Sequence, residues 1–350
     1  MKFKHIPAFL AGSAFALMAS ISMAQAEKLV IATWDGYTPK DMVEKFKAAT
    51  GIDLELTMHA TNEEIMGKVT ASGGEGYDII FVSSPFAEAL HKLDLLAPID
   101  HAKIPNFANL YPEASQLQHD PGNTYSVPYT WGTTGLCYRS DVLKTEPASW
   151  NDLLNPADDL KGKITMLATD RWLMSAGFLA GGMSVNTADQ ASLDKVRDQL
   201  VATKKDLLAY DDTTFYAKLV SGEATLVHAW DGWCNYGTAE NAAIKYVIPK
   251  EGSDLWVDTL VIPKAAKNLD AAHKFIDFIF NAENGKWVVE NIMYKVTNKA
   301  AMDTVDKAML TAYPNIAMAP ADLLKYEQLR DLGDGMKAFS KTVSEIMAAK

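Results

Sequence analysis

The fold is decided by a stretch that opens with Lys28-Leu29-Val30-Ile31-Ala32-Thr33, an apolar run typical of a buried strand. A helix is predicted from Thr38 to Gly51, because threonine can cap its start and glycine its end. Ile52–Met58 alternates as a second strand, Asn62–Val69 has a helical pattern, and Tyr77–Val82 is a third strand. Strands that alternate with helices predict right-handed crossovers and a largely parallel sheet.

Two loops follow strands of this stretch and are candidates for ligand contact. Trp34–Tyr37 comes directly after the first strand, and Ser83–Phe86 comes after the third. Ligands of open α/β sheets bind beyond the carboxyl ends of the strands. The two loops are therefore expected to lie at one site.

A second alternating unit follows later in the chain. Strands are predicted at Lys163–Ala168, Leu207–Tyr210 and Ala224–Trp230, with helices at Ala188–Asp206 and Thr214–Ser221 between them. Two such units in one chain of 350 residues indicate two α/β lobes.

The chain is expected to pass between the lobes twice. The extended run Tyr125–Gly135 contains small residues suited to a first crossing, and a return is expected near 253–260. The expected first lobe is 27–133 plus about 259–310, and the expected second lobe is 134–258 plus about 311–350.

Residues 1–26 have the pattern of a secretory signal peptide. Lys2 and Lys4 precede a short apolar run, and Ala24-Gln25-Ala26 matches a cleavage site, so cleavage is expected near Ala26. No later apolar run reaches the ~20 residues that a membrane span needs. An exported periplasmic protein without a membrane anchor is predicted.

The chain is acidic, with 33 Lys and Arg against 44 Asp and Glu, a net charge of −11. Such a surface disfavours nucleic acid as a partner and weakly favours cationic ligands. Cys137 and Cys234 are the only cysteines. In an oxidising compartment they could form a disulfide, but the sequence leaves their pairing open.

Indoles and carboxylates recur together in the second half of the chain. Trp230 directly precedes Asp231, and Trp256 stands two residues before Asp258, on the same face if the segment is a strand. A carboxylate beside an aromatic face suits an organic cation, since both attract positive charge. The alternative is that the tryptophans are core residues and the aspartates lie at strand ends.

Motifs of catalysis are absent from the sequence. It contains no G-x-S-x-G, H-E-x-x-H, Walker loop or dinucleotide fingerprint in its first strand–helix turn, and its histidines lack metal-ligand spacing. The prediction is a binding protein with no cofactor and no metal, not an enzyme.

With these residues in view, the chain resembles the periplasmic spermidine/putrescine-binding proteins of polyamine ABC transporters. The resemblance rests on Tyr125–Tyr129 with Trp131-Gly132, on Pro249–Gly252 with Trp256-Val257-Asp258, and on Ile262-Pro263 with Ala266-Lys267-Asn268. It implies the type II periplasmic binding protein fold, in which two α/β lobes with mixed, mostly parallel sheets are joined by crossing hinge strands and close on a ligand. It also implies an inner-membrane ABC permease as partner and a monomeric receptor.

The resemblance further implies a set of ligand residues. Trp34, Trp230 and Trp256 would form aromatic walls and Asp258 would bind one terminal amine, with Asp231 or Asp170 at the other end. The remaining expected contacts are Asp35, Tyr37, Ser83, Ser84, Asp211, Tyr294 and Gln328. Helix capping is the rival interpretation for Asp170 and Asp211, while Trp172 and Trp233 are interpreted as core or surface residues.

Three departures from the family pattern leave the ligand open. Gly36 stands where the family has an acid, Arg171-Trp172 follow Asp170 in place of a Glu, and Asp211-Asp212 replace a polar Ser/Asn loop. Putrescine, spermidine, another diamine or a quaternary amine would fit a site of this kind. A periplasmic sensor subunit is the alternative to a transport receptor.

Overall fold

The computed structural model describes Met1 and residues 28–349. The expected signal peptide of 1–26 therefore lies, apart from Met1, outside the described residues. No helix in the described part of the chain is both long enough and apolar enough to span a bilayer.

Within residues 28–349, ten strands form one continuous sheet. They are β1 Lys28–Thr33, β2 Asp53–Met58, β3 Ile79–Ser83, β4 Ser126–Arg139, β5 Ile164–Met166, β6 Ala209–Tyr210, β7 Leu226–Trp230, β8 Ile244–Val247, β9 Asp254–Val261 and β10 Glu327–Gln328. Their order is β2-β1-β3-β9-β4-β7-β5-β6, with β10 beside β9 and β8 beside β4.

Helices lie between and after these strands along the chain. They are α1 Met42–Thr50, α2 Asn62–Ser72, α3 Ser84–Lys92, α4 Trp150–Leu154, α5 Asp170–Ala180, α6 Gln190–Lys204, α7 Phe215–Ser221, α8 Asp231–Glu240, α9 Leu269–Phe280, α10 Ala282–Ile292, α11 Lys299–Met302, α12 Lys307–Ala312, α13 Pro314–Ala317, α14 Pro320–Leu323 and α15 Gly335–Ala348. Short 3-10 helices lie at His101–Lys103, Pro105–Asn109 and Pro112–Ser115.

The first unit, β1–β3 with α1–α3, is parallel as predicted. Strand β1 pairs β2 in register from Lys28 opposite Asp53 to Thr33 opposite Met58, and it pairs β3 on its other edge. Helix α1 begins at Met42, later than the predicted start at Thr38, because the buried Tyr37 is tied to β4 and β9 and the chain turns before the helix starts.

The second unit, β5–β7 with α5–α8, is also parallel, since β5 pairs both β6 and β7 in that sense. Helix α15 packs against α6 and α5 of this unit. Helix α9 instead packs against the first unit, where the rings of Phe46 and Phe275 meet edge to face at 5.3 Å.

Two long strands join the units, and every antiparallel pair of the sheet involves one of them. The first half of β4 pairs β9, from Ser126 opposite Val261 to Thr133 opposite Leu255. Its second half pairs β7, from Thr134 opposite Trp230 to Tyr138 opposite Leu226. Strand β9 also borders β3 of the first unit. The predicted mixed α/β fold with crossing strands is confirmed.

A disulfide joins β4 to α8 beside this crossing. Cys137 and Cys234 are bonded, with their Cα atoms 5.8 Å apart, and 97 residues separate them in sequence. The pairing that the sequence left open is thus settled by tertiary proximity.

Candidate functional site

One large cavity lies where the loops of both units meet. Its volume is about 740 Å³, and residues that follow β1, β2 and β3 line one side while residues that follow β5, β6 and β7 line the other. Strand β9 supplies Trp256 and Asp258 between them. Each parallel strand of both units therefore contributes its carboxyl end to a single site, as the strand-end rule predicts for α/β sheets.

Eight residues expected from the sequence line this cavity. They are Trp34, Asp35, Tyr37, Ser83, Trp230, Trp256, Asp258 and Tyr294.

Aromatic side chains on the cavity wall support one another edge to face. Tyr37 lies 5.2 Å from Trp34 and 5.3 Å from Tyr294, and Tyr294 lies 5.7 Å from Trp256, all between ring centroids. Gly232 makes this packing feasible, since a Cβ there would come within 2.3 Å of the Tyr294 ring. Interlocked rings of this kind form a rigid aromatic wall, a surface whose chemistry suits cations and hydrocarbon chains.

Asp258 is the carboxylate held among these rings. Its Oδ1 accepts a hydrogen bond of 2.6 Å from the Ser83 hydroxyl, and its Oδ2 accepts one of 2.5 Å from the Tyr37 hydroxyl. Burial raises its pKa to about 6, although both hydrogen bonds act in the opposite direction. Each oxygen keeps a second acceptor position, so the carboxylate can also receive N–H donors from a bound cation.

Asn62 fixes the position of the Ser83 donor. The Asn62 amide nitrogen donates to the Ser83 hydroxyl over 3.1 Å, and the Ser83 backbone N–H donates to the Asn62 side-chain oxygen over 2.9 Å. The start of α2 is thereby bonded to the end of β3. Asp258 thus accepts a hydrogen bond from a donor that is oriented before any ligand binds.

Five of the expected ligand residues do not line the cavity. They are Ser84, Asp170, Asp211, Asp231 and Gln328.

Asp231 was expected beside Trp230, but the two side chains diverge because α8 begins at Asp231. Its carboxylate accepts hydrogen bonds from the backbone N–H and the hydroxyl of Thr133 on β4, at 3.0 and 3.2 Å. The residue is only 4% exposed, and burial raises its pKa to about 7. Asp231 therefore supports the hinge strand.

Asp211 does not line the cavity, and its side chain instead closes the turn that leads into α7, whose N-cap residue is Thr214. It accepts hydrogen bonds from the backbone N–H groups of Thr213 and Thr214 at 2.9 and 2.7 Å, and it forms an ion pair with Lys218. Burial alone would raise its pKa, but these hydrogen bonds hold the pKa lowered. Its charge is already neutralised by a neighbour.

Ser84 begins α3 and Gln328 lies on β10 beside β9, and the two contact each other rather than the cavity. The Gln328 amide nitrogen lies 3.3 Å from the Ser84 hydroxyl and 2.7 Å from a ring nitrogen of His119. Asp170 is the first residue of α5, where its carboxylate is favourably placed at a helix start.

Several lining residues were not anticipated. Trp172 and Trp233, interpreted from sequence as core or surface, both line the cavity, and so do His59 and Asn62. In the Asp211-Asp212 loop that the sequence pointed to, it is Asp212 that lines the cavity. The strand-end rule would have found His59 and Asn62, because they follow β2 just as Trp34–Tyr37 follow β1. The sequence contains no such indication for Trp172 and Trp233, because a tryptophan in a helix has the same sequence pattern whether it packs in the core or lines a cavity.

Comparison with known proteins identifies the family to which this chain belongs. The bacterial extracellular solute-binding protein family matches residues 41–318. The spermidine/putrescine-binding periplasmic protein 1 of Haemophilus influenzae is 30% identical, over 95% of this chain and 92% of its own. A putrescine/cadaverine-binding protein of Pseudomonas aeruginosa is 28% identical, over 94% of this chain and 96% of its own.

A solved structure agrees over nearly the same length. The spermidine/putrescine ABC transporter substrate-binding protein PotD of Streptococcus pneumoniae superimposes with a TM-score of 0.75 at 27% identity, covering 92% of this chain and all of its own. The family and these relatives span most of the sequence and both units of the fold. This chain belongs to the bacterial extracellular solute-binding protein family.

Proposed function

We propose that this protein binds a diamine or polyamine, such as putrescine or spermidine, and delivers it to an inner-membrane ABC permease. The observation that carries the proposal is the Asp258 carboxylate, held by two hydroxyl donors among the rings of Tyr37, Trp256 and Tyr294. The relatives named for spermidine, putrescine and cadaverine support the same ligand class.

Contacts of this kind can supply the free energy that micromolar binding of a diamine requires. Cation–π contacts contribute ~0.5–2 kcal/mol each and charge-assisted hydrogen bonds ~1.5–3 kcal/mol each. Micromolar binding corresponds to a binding free energy of about −8 kcal/mol. Contact energy beyond this amount offsets the cost of ordering and desolvation. A primary ammonium suits Asp258 better than a quaternary one, because only the former has N–H groups for the free acceptor positions.

The expected lobes give this site a mechanism of closure. In the proposal, 27–133 with about 259–310 form one lobe and 134–258 with about 311–350 form the other. The packing of α9 on the first unit and of α15 on the second supports this division. Ligand that contacts both lobes shifts the equilibrium toward the closed form, which the permease would recognise.

The cellular setting belongs to the same proposal. Relatives are periplasmic proteins by name, and residues 1–26 have the pattern of a cleaved signal peptide. We expect a periplasmic monomer without a membrane anchor, which acts by binding and release with no chemical step and no cofactor.

Titration calorimetry on the mature protein tests the proposal. Wild-type protein is expected to bind putrescine or spermidine, and Asp258→Asn is expected to lose more than about tenfold in affinity, since a charge-assisted contact is removed. Asp158→Asn is the matched control, because this carboxylate is 94% exposed on the surface. Binding of betaine or amino acids with no binding of any di- or polyamine would overturn the proposed ligand class.

A further inference from the structure

Arg171 is a buried arginine to which the proposed function gives no role. It is only 1% exposed and lies in the first turn of α5, next to Trp172 on the cavity wall. Its guanidinium donates to the carbonyl oxygens of Arg330 and Val185, at 2.6 and 3.2 Å, and to the side-chain oxygen of Asn186 at 2.8 Å. A buried charge is costly unless hydrogen bonds stabilise it, so these bonds hold the three acceptors firmly to α5.

The Arg330 carbonyl belongs to a short segment, residues 327–331, which we call the strap. The Asn186 side-chain oxygen accepts a hydrogen bond of 2.8 Å from the Arg330 backbone N–H, and its amide nitrogen donates to the Gln328 carbonyl oxygen over 2.9 Å. The Glu327 carboxylate accepts a hydrogen bond of 3.0 Å from the backbone N–H of Val185. The backbone of the strap is therefore fixed to the second unit, on the connection between α5 and α6.

The side chain of Arg330 binds the other unit. Its Nε and Nη2 each donate over 2.9 Å to a different carboxylate oxygen of Glu88, which lies in α3 and is 7% exposed. A bidentate pair of this kind fixes orientation as well as distance. The Ser84 hydroxyl, at the start of α3, also donates to the Leu329 carbonyl oxygen over 3.4 Å. The strap thus connects the two units at a third place, beside the crossing strands β4 and β9.

Both anchors of the strap lead directly to the cavity. On the first unit, α3 follows Ser83, which lines the cavity and donates to Asp258. On the second unit, Arg171 precedes Trp172, which lines the cavity from α5. The distance between these two walls is therefore set in part by the strap. A ligand that contacts both walls must match this distance, and one methylene more or fewer changes the affinity of a fitted site by about tenfold or more.

We propose that Arg330 is a positioning residue that fixes the spacing of the two cavity walls and so makes the site selective for the length of a diamine. This inference rests on the proposed function. Glu88 holds Arg330 on the first unit, Arg171 holds it on the second, and none of the three lines the cavity. Fixed walls reject a diamine that is too short or too long, whereas walls that can shift adjust to each length.

Titration calorimetry of the mature protein with the terminal diamines of propane, butane (putrescine) and pentane (cadaverine) tests this inference. Wild type is expected to bind the best of the three at least about tenfold more tightly than the worst. The Arg330→Gln variant is expected to narrow this range to less than about threefold, because its walls are no longer held at one spacing.

Arg197→Gln is the matched control. The Arg197 side chain is 28% exposed, against 31% for Arg330, and it also pairs with carboxylates. Its partners Asp194 and Glu345 lie in α6 and α15, both within the second unit. This variant should keep the wild-type range of affinities, since it removes an arginine of similar exposure without cutting a connection between the units.

Glu88→Gln cuts the same ion pair from the first unit, and it carries the test if Arg330→Gln fails to fold. Both single variants should narrow the range of affinities to the same extent, and the double variant should narrow it no further, because all three remove one interaction. A purely structural role would instead lower the affinity for all three diamines by one common factor. That result would contradict the inference.

The outcomes also separate this inference from the proposed function. If wild type binds neither these diamines nor spermidine, the proposed function itself fails. If wild type binds the three diamines within about threefold of one another, the site does not select by length and the inference is wrong. If wild type is selective and both single variants keep its range, the strap does not set the spacing. In these last two cases the proposed function stands.

Discussion

The Tyr37 hydroxyl donates a hydrogen bond of 2.5 Å to Oδ2 of Asp258, and so joins the loop after β1 to the crossing strand β9. The Thr130 hydroxyl lies 2.5 Å from the same phenol oxygen and completes the chain of donors. Burial and the nearby Asp258 charge raise the pKa of Tyr37 well above its usual value, so it remains a donor. The Asp258 carboxylate is thereby oriented from the first unit while strand β9 carries it.

Tyr37→Phe is expected to weaken putrescine binding about tenfold or more, because a hydrogen bond to a charged group contributes ~1.5–3 kcal/mol. The carboxylate would also lose a donor that stabilises its charged form. Calorimetry measures the change. Tyr138→Phe is the control, since its hydroxyl donates to Glu146 away from the cavity. Equal affinities of Tyr37→Phe and wild type would show that the donor does not prepare the site.

Binding is expected to weaken as pH falls through about 6. Burial raises the pKa of Asp258 to about 6, so its carboxyl group is charged at pH 7.5 and neutral below about pH 5. A bound ammonium favours the charged form, so binding near pH 6 should release protons. Calorimetry in buffers of different ionisation enthalpy counts them. The Asp258→Asn variant should release fewer protons on binding than wild type. If it releases as many, the protons come from other groups.

Gly132→Ala is expected to lower both stability and affinity. A Cβ at Gly132 would come within 2.3 Å of Cζ2 of Trp256 and 2.6 Å of both Asp231 carboxylate oxygens. Overpacking of this kind costs ~1–3 kcal/mol and would displace the indole from the cavity wall. Thermal melts with and without putrescine measure both effects. Gly67→Ala in α2 is the control, because an added Cβ there meets nothing within 4 Å, and ~1 kcal/mol of stabilisation is expected.

The Asp231→Asn variant tests whether Asp231 supports the hinge strand β4 or binds the ligand. Since burial raises the folded-state pKa of Asp231 to about 7, ionisation destabilises the folded protein increasingly as pH rises from about 4 to about 7. The Asp231→Asn variant should therefore melt at a higher temperature than wild type, and this difference should be larger at pH 8 than at pH 5. Putrescine affinity should change less than about threefold. A tenfold loss would instead place Asp231 in the binding site.

Replacing both Cys137 and Cys234 with alanine is expected to lower the free energy of unfolding by ~2–5 kcal/mol, because the disulfide closes a long loop. Denaturant titration measures the loss. Reductant should destabilise wild type and leave the double variant unchanged. Since neither cysteine lines the cavity, the folded double variant should bind putrescine normally. Weaker binding would mean that the disulfide also positions α8 and Trp233.

Much of the site could be predicted from sequence because local pattern determines where strands end. Trp34–Tyr37 and Ser83 follow strands β1 and β3, and Trp256 and Asp258 share one face of β9, so their convergence follows from topology. Asp231 does not line the cavity beside Trp230, because β7 ends at Trp230 and α8 starts one residue later, which turns adjacent side chains to different sides.

The sequence by itself determined the alternation of strands and helices, the two crossings and the pairing of indoles with carboxylates, since each depends on residues near in sequence. Only the tertiary structure decided which carboxylates keep a free charge. Asp211 and Asp212 are neighbours of identical chemistry, yet one pairs with Lys218 and the other faces the cavity. That difference depends on what surrounds each side chain in the folded protein, and burial and ion pairing are set by contacts that the local sequence does not contain.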